Sequence, residues 1–277
     1  LADAVSGSQP AFVELMNRTA GRLGLDDTSY GDPIGLDPGS ASSAADLVRL
    51  TLRLREDPLF RKIVDTEQKT LRGGEVTRTV TNRNTLVLEY PWASGVKTGR
   101  TIEAGYVLVA SGERHGASLV SAVLGAPTEE ARDTASLELL RFGGSLYERR
   151  TPVSDGERLG SAAIRFSDER VAVVALGGVS ITSRDDQDVD VAVDLPAEVE
   201  GPIRRGERLG TATVRVDGEL AGRAPVAAAH AVEAATFFDR ADSAVPGGRA
   251  VLWAAAVGAL LVVGFVGRAV MTRARPR

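Results

Sequence analysis

The hydrophobic residues of the first part of the chain follow a helical period. Apolar positions three and four residues apart predict a core-facing helix over residues 9–23, with Ser8 as its N-cap. Residues 26–42 are rich in Gly, Pro, Asp and Ser, which favours a long surface loop. A second amphipathic helix is predicted to begin after Ser42 or Ser43.

From about position 66 the apolar residues alternate with polar ones, which is typical of strands. Antiparallel strands are predicted at 75–80, 94–98, 105–110 and 118–124. A helix is predicted at 128–142, and the residues expected to face the core are Ala131, Ala135, Leu139 and Phe142. Helices on both sides of a short antiparallel sheet indicate an α+β lobe.

After Tyr147 the pattern consists of short β-like runs, which indicate a small all-β domain. Asp217-Gly218 between apolar residues predicts a tight hairpin. Residues 155–160 and 205–210 echo each other as D/R-G-E-R-L-G, and we interpret them as a repeated turn between strands.

The C-terminal region has an uncharged stretch, 250–267, bounded by Arg249 and Arg268. At ~1.5 Å per residue this stretch is long enough to cross a ~30 Å hydrocarbon core. We therefore predict a linker at 239–249 and a transmembrane helix with a short basic tail at 250–271. Because the residues that follow are rich in arginine, the C-terminus is expected in the cytoplasm and the folded domains outside the cell membrane.

Composition excludes several classes of function. A net charge of -4 and a pI near 5.4 argue against a nucleic-acid partner. The chain has no cysteine and two histidines, so we expect neither thiolate chemistry nor a metal centre, and no cofactor. The acidic residues Asp185, Asp186, Asp188 and Asp190 suit either a calcium loop or a solvated charged edge, and their spacing favours the second interpretation.

The candidate chemistry centres on Lys97-Thr98-Gly99, which stands between Ser94 and an apolar run at 106–110. The lysine supplies a positive charge, the threonine a hydroxyl donor, and the glycine lets a ligand approach the backbone. These three residue types at the start of a β pattern suit a strand edge that holds an anionic group.

Several stretches in order resemble one family. They are Ala11 to Asn17, Gly35-Leu36-Asp37, Asn82-Arg83-Asn84, Ser94 to Gly99, and Ala104 to Ser111. Their order is similar to that of the penicillin-binding D-alanyl-D-alanine carboxypeptidases. The resemblance implies an α+β fold in which 1–148 is the C-terminal part of a β-lactamase/transpeptidase-like catalytic domain and 149–238 is a small β-sandwich.

The resemblance also implies roles for single residues. Lys97 and Thr98 would bind the terminal carboxylate of a peptidoglycan stem peptide ending in D-Ala-D-Ala, and the strand after Gly99 would pair with the substrate backbone. Arg83 would be a second substrate-binding cation, or else part of a structural salt bridge. Arg100 stands where many relatives have histidine. β-Lactams would inhibit the complete enzyme.

No catalytic residue is assigned in this chain. The family uses a serine in S-x-x-K and an S-x-N loop; the sequence has no S-x-N, and its one S-x-x-K is Ser94 to Lys97. We interpret that match as a coincidence, because a regular strand would point these side chains to opposite faces. Tyr30-Gly31-Asp32 is interpreted as a turn. The nucleophile and its lysine are therefore predicted upstream of Leu1, and this fragment alone is expected to be inactive.

Two classes of function remain open from the sequence. The first is a membrane-anchored serine carboxypeptidase of which this chain is a part without the nucleophile. The second is a non-catalytic peptidoglycan-binding or scaffold protein that reuses the fold. A β-lactamase relative is a third interpretation, but it explains neither the β-rich region nor the predicted membrane span.

Overall fold

The computed structural model describes residues 1–73, 75–237 and 239–240. The chain forms two compact units, one of residues Leu1–Arg149 and one that begins at Arg150. Within the described residues, no helix is both long and apolar enough to span a membrane. The predicted transmembrane helix at 250–271 and the linker from 241 on lie outside these residues.

The first unit contains six helices and five strands among its described residues, which confirms the α+β prediction. The helices are α1 (Ala2–Ser6), α2 (Gln9–Arg22), α3 (Ala44–Leu54), α4 (Pro58–Val64), α5 (Thr85–Glu89) and α6 (Glu129–Ser145). The strands are β1 (Gln68–Leu71), β2 (Arg78–Thr81), β3 (Ala93–Thr101), β4 (Gly105–Arg114) and β5 (Ala117–Ala126). The short helices α4 and α5 were not anticipated from the sequence.

The helix starts agree with the expected caps. The hydroxyl of Ser8 accepts a hydrogen bond from the Ala11 amide, and that of Ser43 accepts one from the Asp46 amide. The Asp46 carboxylate is buried and accepts from the Asp27 amide at 2.9 Å and the Thr28 hydroxyl at 2.8 Å. This carboxylate therefore ties the long loop to α3, in addition to marking the helix start.

Strands β3, β4 and β5 form an antiparallel sheet in that order. One face carries Leu108 and Ala110 of β4, which pack with Leu86 and with Leu140 of α6. Helix α3 packs on the opposite face of the sheet, mainly against β5. The sheet is thus covered by helices on both faces, and β3 lies at one edge.

The predicted inward face of α6 is wrong in part. Leu139 is 47% exposed and Phe142 is 64% exposed, whereas Arg132, Ser136, Leu140 and Gly144 are buried. Arg132 can be buried because it pairs with Glu129 at 2.8 Å and with Asp133 at 2.7 Å. The buried face of α6 is therefore rotated by about one residue from the face that the apolar pattern predicted.

The second unit is built of strands, as expected for the all-β region. Its strands are β6 (Tyr147–Val153), β7 (Arg158–Ile164), β8 (Arg170–Ala175), β9 (Val179–Arg184), β10 (Val189–Asp194), β11 (Glu198–Val199), β12 (Arg208–Val216) and β13 (Glu219–Ala228). Six of them form one sheet in the order β10-β12-β13-β8-β7-β11, and β6 pairs with β9. Val153 and Ile181 from the small sheet share a core with Val214 and Val226 from the large one.

The two echoing sequences form the same turn, which confirms the repeat. Gly156 and Gly206 have φ of 75° and 81°, the left-handed region that favours glycine. The carboxylate that follows each glycine closes its turn: Glu157 accepts from the Ser154 amide at 2.7 Å, and Glu207 accepts from the Arg204 amide at 2.9 Å.

The predicted hairpin at Asp217-Gly218 joins β12 to β13. Both residues have positive φ, 50° and 82°, as a tight I′ turn requires. The Asp217 carboxylate accepts hydrogen bonds from the Gln187 side chain at 2.8 Å and the Asp188 amide at 2.9 Å.

Candidate functional site

Lys97, Thr98 and Gly99 lie in the middle of the edge strand β3. They stand opposite Val109, Leu108 and Val107 of β4. Because side chains alternate along a strand, Lys97 and Thr98 point to opposite faces of the sheet. A ligand that engages both side chains must therefore lie along the free edge of β3.

The environments of the two side chains differ. Lys97 is exposed, and its ammonium donates to the carbonyl of Thr98 on its own strand. Thr98 is half-buried and stands beside Leu108, on the face that packs against α6. The site therefore combines an exposed charge with a half-buried hydroxyl on the helix-covered face of the sheet.

The neighbouring strand β4 leaves little room for a side chain at Gly99. A Cβ at this position would lie 2.7 Å from Cγ2 of Val107, closer than carbon atoms approach. A side chain here would push β3 away from β4 or fill the space beside the strand edge.

Arg83 lies between two asparagines that fix the loop around it. Asn82 donates from Nδ2 to the carbonyls of Val64 at 3.0 Å and Thr66 at 3.1 Å. Asn84 is buried and donates from Nδ2 to the Gly95 carbonyl at 2.9 Å. Arg83 itself is exposed and belongs to none of the ion pairs among the described residues.

This arrangement connects two of the predicted site residues. Asn84 follows Arg83 directly, and Gly95 precedes Lys97 by two residues, so the Asn84–Gly95 hydrogen bond joins the loop of Arg83 to the strand of Lys97. Both asparagines belong to the family-like motif in the sequence, and no functional role was predicted for either. An asparagine before an apolar run is a signal for an N-cap, and Asn84 does cap α5 through the Leu86 amide.

The Ser94 to Lys97 match has a different geometry from the one expected. The pairing of β3 with β4 skips Gly95, so Ser94 stands opposite Ser111 while Lys97 stands opposite Val109. Ser111 and Val109 share a face, and a β-bulge therefore places Ser94 and Lys97 on the same face; the expectation of opposite faces was wrong.

The hydroxyl of Ser94 nevertheless has another partner. Its Oγ lies 3.0 Å from Oγ of Ser111, which in turn donates to the Ser94 carbonyl at 2.7 Å. No hydrogen bond joins Ser94 to Lys97 in the part of the chain that the structure describes. Ser94 and Ser111 therefore bridge the two strands at the bulge. Among the described residues, Ser94 has no hydrogen bond to a base that would activate it as a nucleophile.

Arg100 stacks its guanidinium over the ring of Tyr106, 4.8 Å from the centroid. Its opposite neighbour in the sheet is this same tyrosine, so the contact holds the side chain over the strand pair. The side chain of Arg100 is thus held in a cation–π contact with Tyr106.

The acidic residues of the second unit take part in local contacts. Asp185 pairs with Arg150, and Asp186 pairs with Arg184 at 3.0 Å. Over the described ranges, no three His, Asp or Glu side chains converge as metal ligands would. An apolar cavity of about 280 Å³ is lined by residues of α2 and α3 such as Phe12, Met16 and Leu50, and Lys97 is not part of its lining.

Two family models match consecutive parts of the chain. The first, described as D-alanyl-D-alanine carboxypeptidase, matches residues 1–128. The second, described as penicillin-binding protein 5, C-terminal domain, matches residues 147–234. The second match begins close in sequence to Arg149, the last residue of the first compact unit.

Curated relatives of the chain are described in the same way as the first family model. The D-alanyl-D-alanine carboxypeptidase DacC of Escherichia coli is 32% identical over 250 residues, which are 87% of this chain and 61% of the relative. DacF of Bacillus subtilis is 30% identical over 243 residues, 86% of this chain and 62% of the relative. The chain therefore spans about three fifths of the length of these curated relatives.

A solved structure gives the same result for the fold. Penicillin binding protein 5 from Haemophilus influenzae superposes with a TM-score of 0.51 at 29% identity, covering 84% of this chain and 69% of that one. With both family models matched in order and relatives at this identity, the chain belongs to the D-alanyl-D-alanine carboxypeptidase family of low-molecular-mass penicillin-binding proteins.

Proposed function

We propose that this chain forms the substrate-binding strand of a serine-type D-Ala-D-Ala carboxypeptidase. The reaction would remove the terminal D-alanine from peptidoglycan stem peptides through an acyl-enzyme. The observation that carries the proposal is the position of Lys97, Thr98 and Gly99 on an edge strand whose outer side has no paired strand among the described residues.

The edge of β3 suits a peptide ligand for a physical reason. A free strand edge presents unpaired N–H and C=O groups, to which an extended peptide can add as a further strand. The ammonium of Lys97 and the hydroxyl of Thr98 flank this edge from the two faces of the sheet. They would hold the terminal carboxylate, and Arg83 would support it from the adjoining loop.

The nucleophile would come from sequence outside these 277 residues. In the proposed reaction a serine Oγ attacks the carbonyl of the penultimate D-alanine, the terminal D-alanine leaves with a proton, and water hydrolyses the resulting ester. A β-lactam would acylate the same serine. Residues of this chain would bind and orient the peptide, and the step of bond cleavage would need the serine and its lysine.

Binding of a short peptide tests this role directly. We expect a D-Ala-D-Ala peptide with a free terminal carboxylate to bind the chain more tightly than the same peptide with a terminal amide. Lys97→Met should weaken binding of the acid about tenfold or more while leaving the amide almost unchanged, since only the acid has a charge to lose. Lys62→Met, which removes another exposed lysine, is the matched control. Equal affinities of wild type and Lys97→Met for the acid would exclude the proposed role.

A scaffold function is favoured by one specific observation. The sequence contains no S-x-N, and the serine of its one S-x-x-K is hydrogen-bonded to Ser111. Labelled penicillin separates the two proposals. A longer chain that carries an S-x-x-K and an S-x-N ahead of Leu1 should form a stable adduct if the protein is the enzyme. If the coding sequence ahead of Leu1 lacks both motifs and no adduct forms, the scaffold function is correct.

We also propose that residues 250–271 anchor the protein in the cell membrane, with the folded units outside. The support is the uncharged stretch 250–267 and the arginines that follow it. Because the chain has no cysteine, single cysteines can report the topology. An impermeant maleimide should label Ser154→Cys in intact spheroplasts and label Thr272→Cys only after lysis. Labelling of Thr272→Cys in intact spheroplasts would exclude this orientation.

A further inference from the structure

The hairpin of β1 and β2 carries a basic surface that the proposed reaction does not use. We propose that this hairpin binds free carboxylates of the stem peptide on the N-terminal side of its D-Ala-D-Ala end. This inference rests on the proposed function and extends it, since it names a second contact of the same substrate.

Both strands of the hairpin are exposed to solvent. All four residues of β1 and all four of β2 are exposed. The register pairs Lys69 with Val80 and Leu71 with Arg78, so these four side chains share one face. The hairpin therefore presents two cations and two aliphatic side chains together to solvent.

The opposite face of the hairpin is held by side-chain hydrogen bonds. Gln68 donates to Thr81 at 3.1 Å, and the hydroxyls of Thr70 and Thr79 lie 3.0 Å apart. These cross-strand contacts fix the register, which keeps Lys69 and Arg78 at a constant spacing.

The net charge of the hairpin segment, residues 67–83, is opposite in sign to that of the whole chain. Residues 67–83 contain four basic and two acidic side chains, giving a net charge of +2, while the whole chain has a net charge of -4. Lys69, Arg72 and Arg78 belong to none of the ion pairs formed within the described ranges. Glu67 and Glu75, the acidic groups of the segment, likewise form none there. The three cations are therefore available to an anionic ligand.

The base of the hairpin is attached to the candidate site. The Asn82 amide donates to the Glu67 carbonyl at 2.7 Å, and the Asn84 amide donates to the side chain of Asn82 at 3.0 Å. Asn84 in turn bonds the carbonyl of Gly95 on the strand that carries Lys97. A short path of hydrogen bonds thus leads from the basic hairpin to the edge of β3.

The dimensions and the chemistry fit a stem peptide. Four residues of strand extend about 13 Å, and three or four residues of an extended peptide cover about 10–14 Å. A stem peptide carries carboxylates within that distance of its end, on its γ-linked glutamate and, in many cell walls, on its diamino acid. Cations spaced along the hairpin would attract these groups, and Leu71 and Val80 would contact the methylenes between them.

The test compares two peptides that both end in D-Ala-D-Ala. Both carry L-lysine as the third residue, so that the diamino acid adds no carboxylate. In one the γ-linked D-glutamate has a free α-carboxylate, and in the other it is amidated. Dissociation constants are measured by fluorescence anisotropy with the full chain in a neutral detergent. We expect Lys69→Gln/Arg78→Gln to weaken binding of the acidic peptide about three- to tenfold and that of the amidated peptide less than twofold. The difference should shrink in 0.5 M salt.

The controls separate this inference from the proposed function. Arg205→Gln/Arg223→Gln removes the same charge from exposed positions of the second unit and should change neither constant. Lys97→Met should weaken both peptides, and if it does not, the proposed function fails whatever the hairpin does. If the hairpin variant weakens both peptides equally or neither, the inference is wrong. Binding of anionic lipid vesicles that depends on Lys69 and Arg78, with unchanged peptide binding, would also overturn it.

Discussion

The side-chain amide of Asn84 donates to the carbonyl of Gly95 at 2.9 Å, and its oxygen accepts from the Leu86 amide at 3.2 Å. Asn84 is 2% exposed, so both bonds are shielded from water. One side chain thereby caps α5 and fixes the strand segment that leads to Lys97. The position of the candidate site depends on a residue that would contact no substrate.

We predict that Asn84→Ala destabilises the protein by about 2–4 kcal/mol, because a helix cap is lost and the buried Gly95 carbonyl is left without its donor. Asn84→Ser keeps a cap acceptor but cannot reach Gly95, so it should cost less. Urea unfolding measures both variants. Equal stability of Asn84→Ala and wild type would show that the bond contributes nothing.

Gly95 is expected to reject a side chain because of Val64. A Cβ on Gly95 would lie 2.6 Å from Cγ2 and 2.8 Å from Cβ of Val64. Gly95→Ala should therefore cost about 1–3 kcal/mol, and adding Val64→Ala should recover part of that loss. Gly73→Ala has no atom within 4 Å of the new methyl group and serves as the control. If the double variant loses as much stability as the two single variants together, the clash is not the cause.

Local signals made several elements predictable from the sequence. Ser8 and Ser43 begin helices because their hydroxyls replace missing backbone acceptors. Asp217-Gly218 forms a hairpin because few other pairs accept positive φ twice. The K-T-G strand was recognised because its residue types, its spacing and the stretches around it agree with one family.

Other features depend on tertiary contacts that no local pattern records. The buried face of α6 carries Arg132 and Ser136, since a buried ion pair can replace apolar packing. The bulge at Gly95 changes the face of Ser94, and Gly95 lies against Val64 of α4, a contact between residues far apart in sequence. The role of Asn84 follows from a hydrogen bond across eleven residues of sequence.

The two repeated turns of the second unit predict a paired effect. Glu157→Ala and Glu207→Ala should each cost about 1 kcal/mol, because each leaves one backbone amide without its carboxylate acceptor. Since the two turns share no hydrogen-bond partner, the double variant should show the sum of the two losses. Gln at either position keeps an acceptor oxygen and should be nearly neutral. Thermal unfolding of the five variants provides the measurement, and a loss in only one turn would show that the repeat is not equivalent in energy.

Asp217 is expected to make stability depend on pH in the acidic range. The Gln187 side chain and the Asp188 amide donate to its carboxylate and hold the pKa of Asp217 below its ordinary value, with a further contribution from Arg184. A carboxyl with a depressed pKa stabilises the folded state above its unfolded pKa of about 3.9, and that stabilisation is lost as the pH falls through the lower folded pKa.

We therefore expect the stability difference between wild type and Asp217→Asn to be constant above about pH 5 and to shrink as the pH falls below about 4. Gln187→Ala should move the pKa of Asp217 back toward its ordinary value, because it removes the largest of the effects that lower it. Carbon-13 NMR titration of the aspartate carboxylates measures that shift. An Asp217 pKa that is the same in Gln187→Ala and wild type would show that the hydrogen bond at 2.8 Å does not control the ionisation.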